Sequence, residues 1–494
     1  MQYIPTIGLE VHVELNTKTK MFCDSLNDPD EKHPNINVCP VCMGHPGTLP
    51  VINAEAIHKL MMVGLALNCS IEKNTFFERK NYFYPDLPKG YQISQYLKPL
   101  CYDGHLDIAT SNKLQATKRI RIERIHLEED AGRLAHEKDA TLVDFNRAGL
   151  PLMELVTKPD LETAQDVIAF ASELRLIMRY LGASDADMEK GQMRVEVNIS
   201  VRPEGNVLGT KVEIKNINSI SAAGKAVEFE IRRQSELLDA GKKIVQETRG
   251  WDDVNNKTVS QRIKEGSADY RYFPEPDLPP LSFDDAAIEA VRNELPELPS
   301  HRRKRFKKEY GLSEKDVEVF TLNKALGNYF EKVASELLAF DNLKHLERPA
   351  KEHEPKLLKL ASNYIMTELS RMASEVSASP EETKIKPESF AELVVAIFHN
   401  AISSSAAQIV LKEMFETGLT ADQIVQQKDL AQVSDIGVLG AIVERVITEN
   451  SQAVRDYKKG KEASLKFLIG KVMAGSKGKA NPQVVQEIIK NKLS

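Results

Sequence analysis

The chain opens on an alternation of apolar and polar positions. Ile7, Leu9, Val11, Val13 and Leu15 are apolar, while Gly8, Glu10, His12 and Glu14 between them are not. Successive side chains of a strand point to opposite faces, so this segment predicts a strand with one face for a core and one polar face. Segments 118–124, 194–202 and 208–215 also read as strands. Helical spacing occupies 53–67, 163–181 and 219–240, the last followed by Gly241, a residue suited to the left-handed turn that closes a helix. Strands and helices mix without a regular βαβ repeat, which predicts an α+β fold. A Pro-rich stretch, 273–280, closes this part, and the pattern is helical from about residue 284. Ser, Pro, Glu and Lys then cluster over 376–392. The expected organisation is an α+β domain over 1–292, a helical domain over 293–398 and a small helical tail over 399–494.

Composition narrows the class. The 494 residues are 42% hydrophobic and 28% charged, with 25 Gly and 23 Pro, which excludes disorder, collagen and coiled-coil rods. No apolar run approaches the roughly 18 residues of a membrane span. The N-terminus lacks a basic region followed by an apolar one, and five Cys are too few for a disulfide framework, so a reducing cytoplasm is expected. The net charge of −6 is uneven. Residues 451–494 carry ten Lys/Arg against three acids, a net of +7, which leaves −13 for the rest. A basic tail on an acidic body suits a protein that grips a polyanion at one end, although a solvated helical face has the same charge.

Five segments are candidates for chemistry. Glu10 and His12 stand about 6.6–7 Å apart on the polar face of the opening strand, where carboxylate and imidazole suit Mg²⁺ or Mn²⁺. A solvent-facing strand shows the same alternation. Glu128, Glu129 and Asp130 set three carboxylates in a row, which repel unless a cation or donors satisfy them. Glu154 lies in an apolar run and needs a partner if buried, either a cation or an arginine such as Arg147. Between Glu78 and Tyr96 basic and aromatic residues interleave, as in a pocket that stacks a base and neutralises phosphate. Cys39 and Cys42, with Cys23 upstream, suggest zinc, but a closed site needs four ligands, with Asp24, His33 or His45 to complete it. No Walker-type phosphate loop, dinucleotide-binding glycine motif or hydrolase nucleophile elbow is present.

Together these segments resemble a known family. Ile7–Leu15, Lys80–Asp86, Tyr91–Gln95, His126–Gly132, Asp269–Asp277 and Gly478–Pro482 are similar to the B subunit of the bacterial aspartyl/glutamyl-tRNA amidotransferase. The resemblance runs over essentially the whole chain. It implies a cradle-shaped α+β catalytic domain, then a helical domain and a helical tail that reads tRNA by shape. It implies an ATP-dependent carbon–nitrogen ligase acting on Glu-tRNA(Gln) or Asp-tRNA(Asn). Ammonia would be supplied by a partner amidase subunit, with a small third subunit binding the two together. Glu10, His12, Glu128 and Glu154 would hold Mg²⁺, with Glu129, Glu196 and Glu213 as outer ligands. Glu196 stands where relatives carry Asp. Lys80, Tyr82 and Tyr84 would shape the pocket for ATP and the 3′-adenosine, with Arg79 on phosphate. Lys458, Lys459, Lys461, Lys471, Lys477 and Lys479 would contact the tRNA backbone. Some members hold zinc by pairing C-x-C with C-x-x-C, and this chain lacks one of those thiols, since Ser25 follows Cys23 and Asp24. A second class of reading is a tRNA-binding adaptor without catalysis. It gives no reason for acids to face a bound polyanion.

Overall fold

The computed structural model describes residues 3–109, 117–205, 208–263, 270–339, 351–432, 436–476 and 479–493. Two compact units divide at Pro299 and Ser300.

The first unit is built on a nine-stranded sheet. In spatial order its strands are Lys257–Ile263, Glu247–Asp252, Val212–Lys215, Met193–Pro203, Tyr3–Glu14, Pro151–Thr157, Thr117–Glu129, Cys101–Ala109 and Ser70–Ile71. Pairing is antiparallel except between Val212–Lys215 and Glu247–Asp252. The opening strand sits at the centre, paired on one side with Pro151–Thr157 and on the other with Met193–Pro203. Its apolar face does what the alternation predicted: Ile7, Leu9, Val11 and Val13 are buried in one core with residues of helices Ala54–Ala66, Ala164–Tyr180 and Ile220–Asp239. Each helix begins at a side-chain cap, Asn53, Thr163 or Ser219, that accepts from backbone N–H groups of the first turn. Gly241 follows the third with φ of +67°.

With that face closed by helices, the other carries the charge. His12 lies opposite Glu154 on one neighbour and Arg194 on the other, and Glu154 lies opposite His126. A smaller antiparallel sheet, Phe273–Pro274, Glu78–Asn81 and Tyr91–Ser94, brings the Lys80 segment to this face.

The second unit is helical. One core runs from Phe306 to Ile424, and a separate cluster from Leu439 to Leu493 forms the tail. The helices Ser404–Thr417 and Ala421–Gln427 therefore pack with the preceding helices, past the boundary expected at 398/399. The basic run in the helix Pro299–Tyr310 is largely neutralised by partners: Arg302 with Glu331, Arg303 with Glu318, Arg305 with Glu309 and Lys307 with Glu314.

Helix Ala54–Ala66 packs so closely on the sheet that a Cβ at Gly64 would lie 2.4 Å from Cys101 Sγ. Gly64→Ala should lower stability by about 1–3 kcal/mol through overpacking. Chemical denaturation checks this, and adding Cys101→Ala should recover part of the loss.

Candidate active site

Four of the expected metal ligands meet on the polar face. His12 Nε2 is 3.5 Å from Glu154 Oε2, 3.8 Å from Glu128 Oε1 and 3.9 Å from Glu10 Oε1. Glu128 and Glu154 are buried, whereas Glu10 is partly open to solvent. Burial and the facing Glu154 carboxylate raise the Glu10 pKa. Burial also works against the charged form of His12, but contact with Glu154 and the fields of Glu154 and Glu128 outweigh it and raise its pKa. Glu154 is held well below the usual carboxylate range: burial opposes its charge, and His126, His12 and Lys80 prevail. Ligand atoms of Glu10, His12 and Glu154 all lie within 4.8 Å of one another, a donor set that fits a hard divalent cation.

Lys80 reaches this cluster from the small sheet. Its Nζ is 3.4 Å from Glu128 Oε2 and 5.5 Å from the centre of the Tyr270 ring. Burial disfavours its charge, yet Glu128 and Glu154 raise its pKa, so it is an ammonium facing the site. Around it stands an aromatic wall. Tyr96 stacks on Tyr272 with centroids 4.6 Å apart, Tyr270 meets Tyr272 and Tyr82 edge-on, and Arg124 lies over Tyr96. The buried Glu78 fixes this wall by accepting from the Tyr96 and Leu97 amides. Carboxylates, imidazoles, a lysine and aromatic faces thus share one surface, a combination able to neutralise phosphates and stack a base.

The other expected residues have partners of their own, although Glu196 borders the cluster, directly opposite Glu10 on the neighbouring strand. Glu129 projects to the opposite side of its strand, where Lys89 Nζ is 2.6 Å from its Oε2 and the Ile93 amide donates to its Oε1. Glu196 and Glu213 share Lys215, at 2.6 and 3.4 Å, and Glu213 also accepts from Thr248. Arg79 is committed to Glu275 by two hydrogen bonds of 2.7 and 2.8 Å and lies over Tyr91, so its guanidinium braces the small sheet. Tyr82 donates to Gln92, and Tyr84 is exposed. Arg147 does not pair with Glu154; it contacts Glu14 and Asp130, and Arg194 also reaches Asp130.

The sequence did not single out His126, Arg124, Tyr270 or Tyr272 as site residues, whereas Tyr96 closes the stretch expected to stack a base. His126 had a signal, because it lies two positions before Glu128 on one strand and must share its face. Burial holds its pKa down despite the nearby carboxylates.

Cys23, Cys39 and Cys42 do converge, with sulfur atoms within 4.8 Å. Beside them lies the fully buried Lys20, whose Nζ is 3.8 Å from Cys42 Sγ and 3.2 Å from the Phe145 carbonyl. The expected fourth-ligand candidate His33 pairs with Glu31. Three thiols supply three of the four ligands that a closed zinc site needs. In the tail, Lys458, Lys459, Lys461 and Lys471 are exposed, and Lys479 pairs with Asp429. Lys477, like Asp269 and Gly478 of the quoted motifs, lies outside the described residues.

Residues 5–289 match the family model of the GatB/GatE catalytic domain, which assigns the first unit its class, and residues 345–493 match that of the GatB domain. Two full-length relatives, from Caldicellulosiruptor bescii and Caldanaerobacter subterraneus subsp. tengcongensis, are each 46% identical to this chain. The alignments cover 100% of this chain and 99% and 100% of the relatives, and both are named as the B subunit of aspartyl/glutamyl-tRNA(Asn/Gln) amidotransferase. A third bearing that name, from Persephonella marina, is 46% identical with 100% of both chains covered. The chain belongs to this GatB family of amidotransferase subunits.

Asp130 and Glu14 should respond differently to neutralisation. Burial and the facing Asp130 push Glu14 upward, whereas Arg147 and Arg194 overcome burial and hold Asp130 low. Asp130→Asn leaves two arginines facing a neutral amide and should cost about 3 kcal/mol. Glu14→Gln should cost less than about 1 kcal/mol. Equal losses in urea titrations would contradict this division of charge.

Proposed function

We propose that the chain is the kinase and transamidase component of a glutamine-dependent tRNA amidotransferase. It binds Glu-tRNA(Gln) or Asp-tRNA(Asn) and activates the side-chain carboxylate on the 3′ end. The γ-phosphoryl of ATP passes to a carboxylate oxygen, ADP leaves, and ammonia attacks the carbonyl carbon of the resulting acyl phosphate. Phosphate departs and the amide remains. Ammonia comes from glutamine on the partner amidase, with the small third subunit holding the complex together in the cytoplasm.

The observation that carries this reading is the convergence of Glu10, His12, Glu128, Glu154 and Lys80 on one sheet face beside the tyrosine wall. Joining ATP to a carboxylate concentrates negative charge, which positive groups must offset. Mg²⁺ held by Glu10, His12 and Glu154 would supply that charge and orient the phosphates. The Lys80 ammonium stabilises charge on the transferring group, and the tyrosines offer faces for the adenine or the terminal nucleoside. An adaptor would leave the buried carboxylates of this face unexplained.

In the tail, exposed lysines on a +7 segment suit backbone contacts with tRNA, and counterion release makes such binding weaken with salt. Removing residues 433–494 takes away the third cluster alone. It should weaken tRNA binding and flatten its salt dependence while the first unit still folds; unchanged affinity at physiological salt would exclude the tail.

Glu128→Gln in the complex with the amidase and the small subunit should lower ATP-dependent transamidation about a hundredfold or more. Glutaminase activity and tRNA binding should persist. Lost tRNA binding with normal phosphorylation would contradict the role given to this carboxylate.

A further inference from the structure

We propose that Cys42 is a peroxide-reactive thiol that closes a reversible disulfide with Cys23. The inference concerns the cysteine cluster of the first unit and is independent of the function assigned to the acid face.

The sulfur atoms of Cys23, Cys39 and Cys42 lie within 4.8 Å of one another, and all three residues are free thiols. Cys42 Sγ is approached by the Cys39 amide at 3.2 Å, Lys20 Nζ at 3.8 Å and the Ser25 hydroxyl at 3.9 Å. Lys20 is the independent observation. It is fully buried, and among the described residues its ammonium meets no carboxylate, only this sulfur and the Phe145 carbonyl at 3.2 Å. A buried ammonium is costly unless negative charge faces it. Sulfur is the side-chain group placed to carry that charge. A cysteine beside a lysine, with partly open neighbours, is the setting of a reactive thiol. Cys23 and Cys39 are partly open, whereas Cys69 and Cys101 are sealed in the core.

The oxidant is a hydroperoxide. The Cys42 sulfur attacks one peroxide oxygen and the O–O bond breaks. Lys20 offsets charge on the departing oxygen, which leaves as water or an alcohol. Cys42 is then a sulfenic acid. The Cys23 thiol, which hydrogen-bonds to Cys42, is placed to answer. Its sulfur attacks the Cys42 sulfur, the S–O bond breaks and water leaves. Two thiols have given up two electrons and two protons, and the peroxide has taken them.

The test exposes the reduced full chain to hydrogen peroxide and maps its cysteines by mass spectrometry. A Cys23–Cys42 disulfide should form, revert with dithiothreitol and be absent in Cys42→Ser. Cys23→Ser should stop at a Cys42 sulfenic acid that dimedone traps. Lys20→Met should slow the oxidation about tenfold or more. If Lys20→Met does not fold by circular dichroism, the dimedone trap in Cys23→Ser decides alone. A Cys42 that stays a thiol, or oxidises no faster than glutathione, would overturn the proposal. So would a Cys39–Cys42 disulfide in place of the expected pair, or one zinc ion per purified chain held by these thiols.

Discussion

The candidate active site depends on holding carboxylates together inside a folded sheet. Glu128 and Glu154 are buried within reach of one another's partners, an arrangement that repulsion and desolvation both oppose. The fold offsets this by surrounding them with positive or neutral donors. Lys80 faces Glu128, Arg124 approaches Glu154 at 3.7 Å, and the two imidazoles flank the same Glu154 oxygen. Such a cluster persists because the strands beneath it are fixed by the core on their other face. Ile7, Leu9, Val11 and Val13 anchor the strand whose opposite side carries Glu10 and His12.

Position in the sheet turns that strand into a site. As the central strand it has a neighbour on each side, so cross-strand pairing sets His12 beside Glu154 and Arg194 without a loop. Strand-borne ligands are held more rigidly than loop-borne ones. The groups proposed to meet substrate come instead from the small sheet, where Arg79 and Glu275 brace the strand that presents Lys80. Under the proposed function, rigid acids and a separately supported lysine divide cation binding from substrate contact.

Much of this was legible in the sequence, and what was not has physical causes. Alternation identified the opening strand, its two faces and the Glu10/His12 pair. The same rule, carried further, separates Glu128 from Glu129: neighbours on a strand cannot share a face, and Glu129 accordingly goes to Lys89. It also places His126 with Glu128. The commitment of Arg79 to Glu275 was not legible, because the partner lies 196 positions away. Nor was the end of the second core at Ile424, since an amphipathic helix shows the same spacing whichever core it packs against. Nothing in the spacing of three cysteines announces that a buried Lys20 stands beside them.

The central claim is that the acid face and Lys80 activate a carboxylate carried on tRNA. ATP hydrolysis by this chain assembled with its amidase and small-subunit partners, at fixed Mg²⁺, measures it most directly. The account predicts hydrolysis stimulated by Glu-tRNA(Gln) and, once glutamine is added, formation of Gln-tRNA(Gln). Clear binding of the misacylated tRNA without stimulated hydrolysis would contradict it and leave the chain an adaptor.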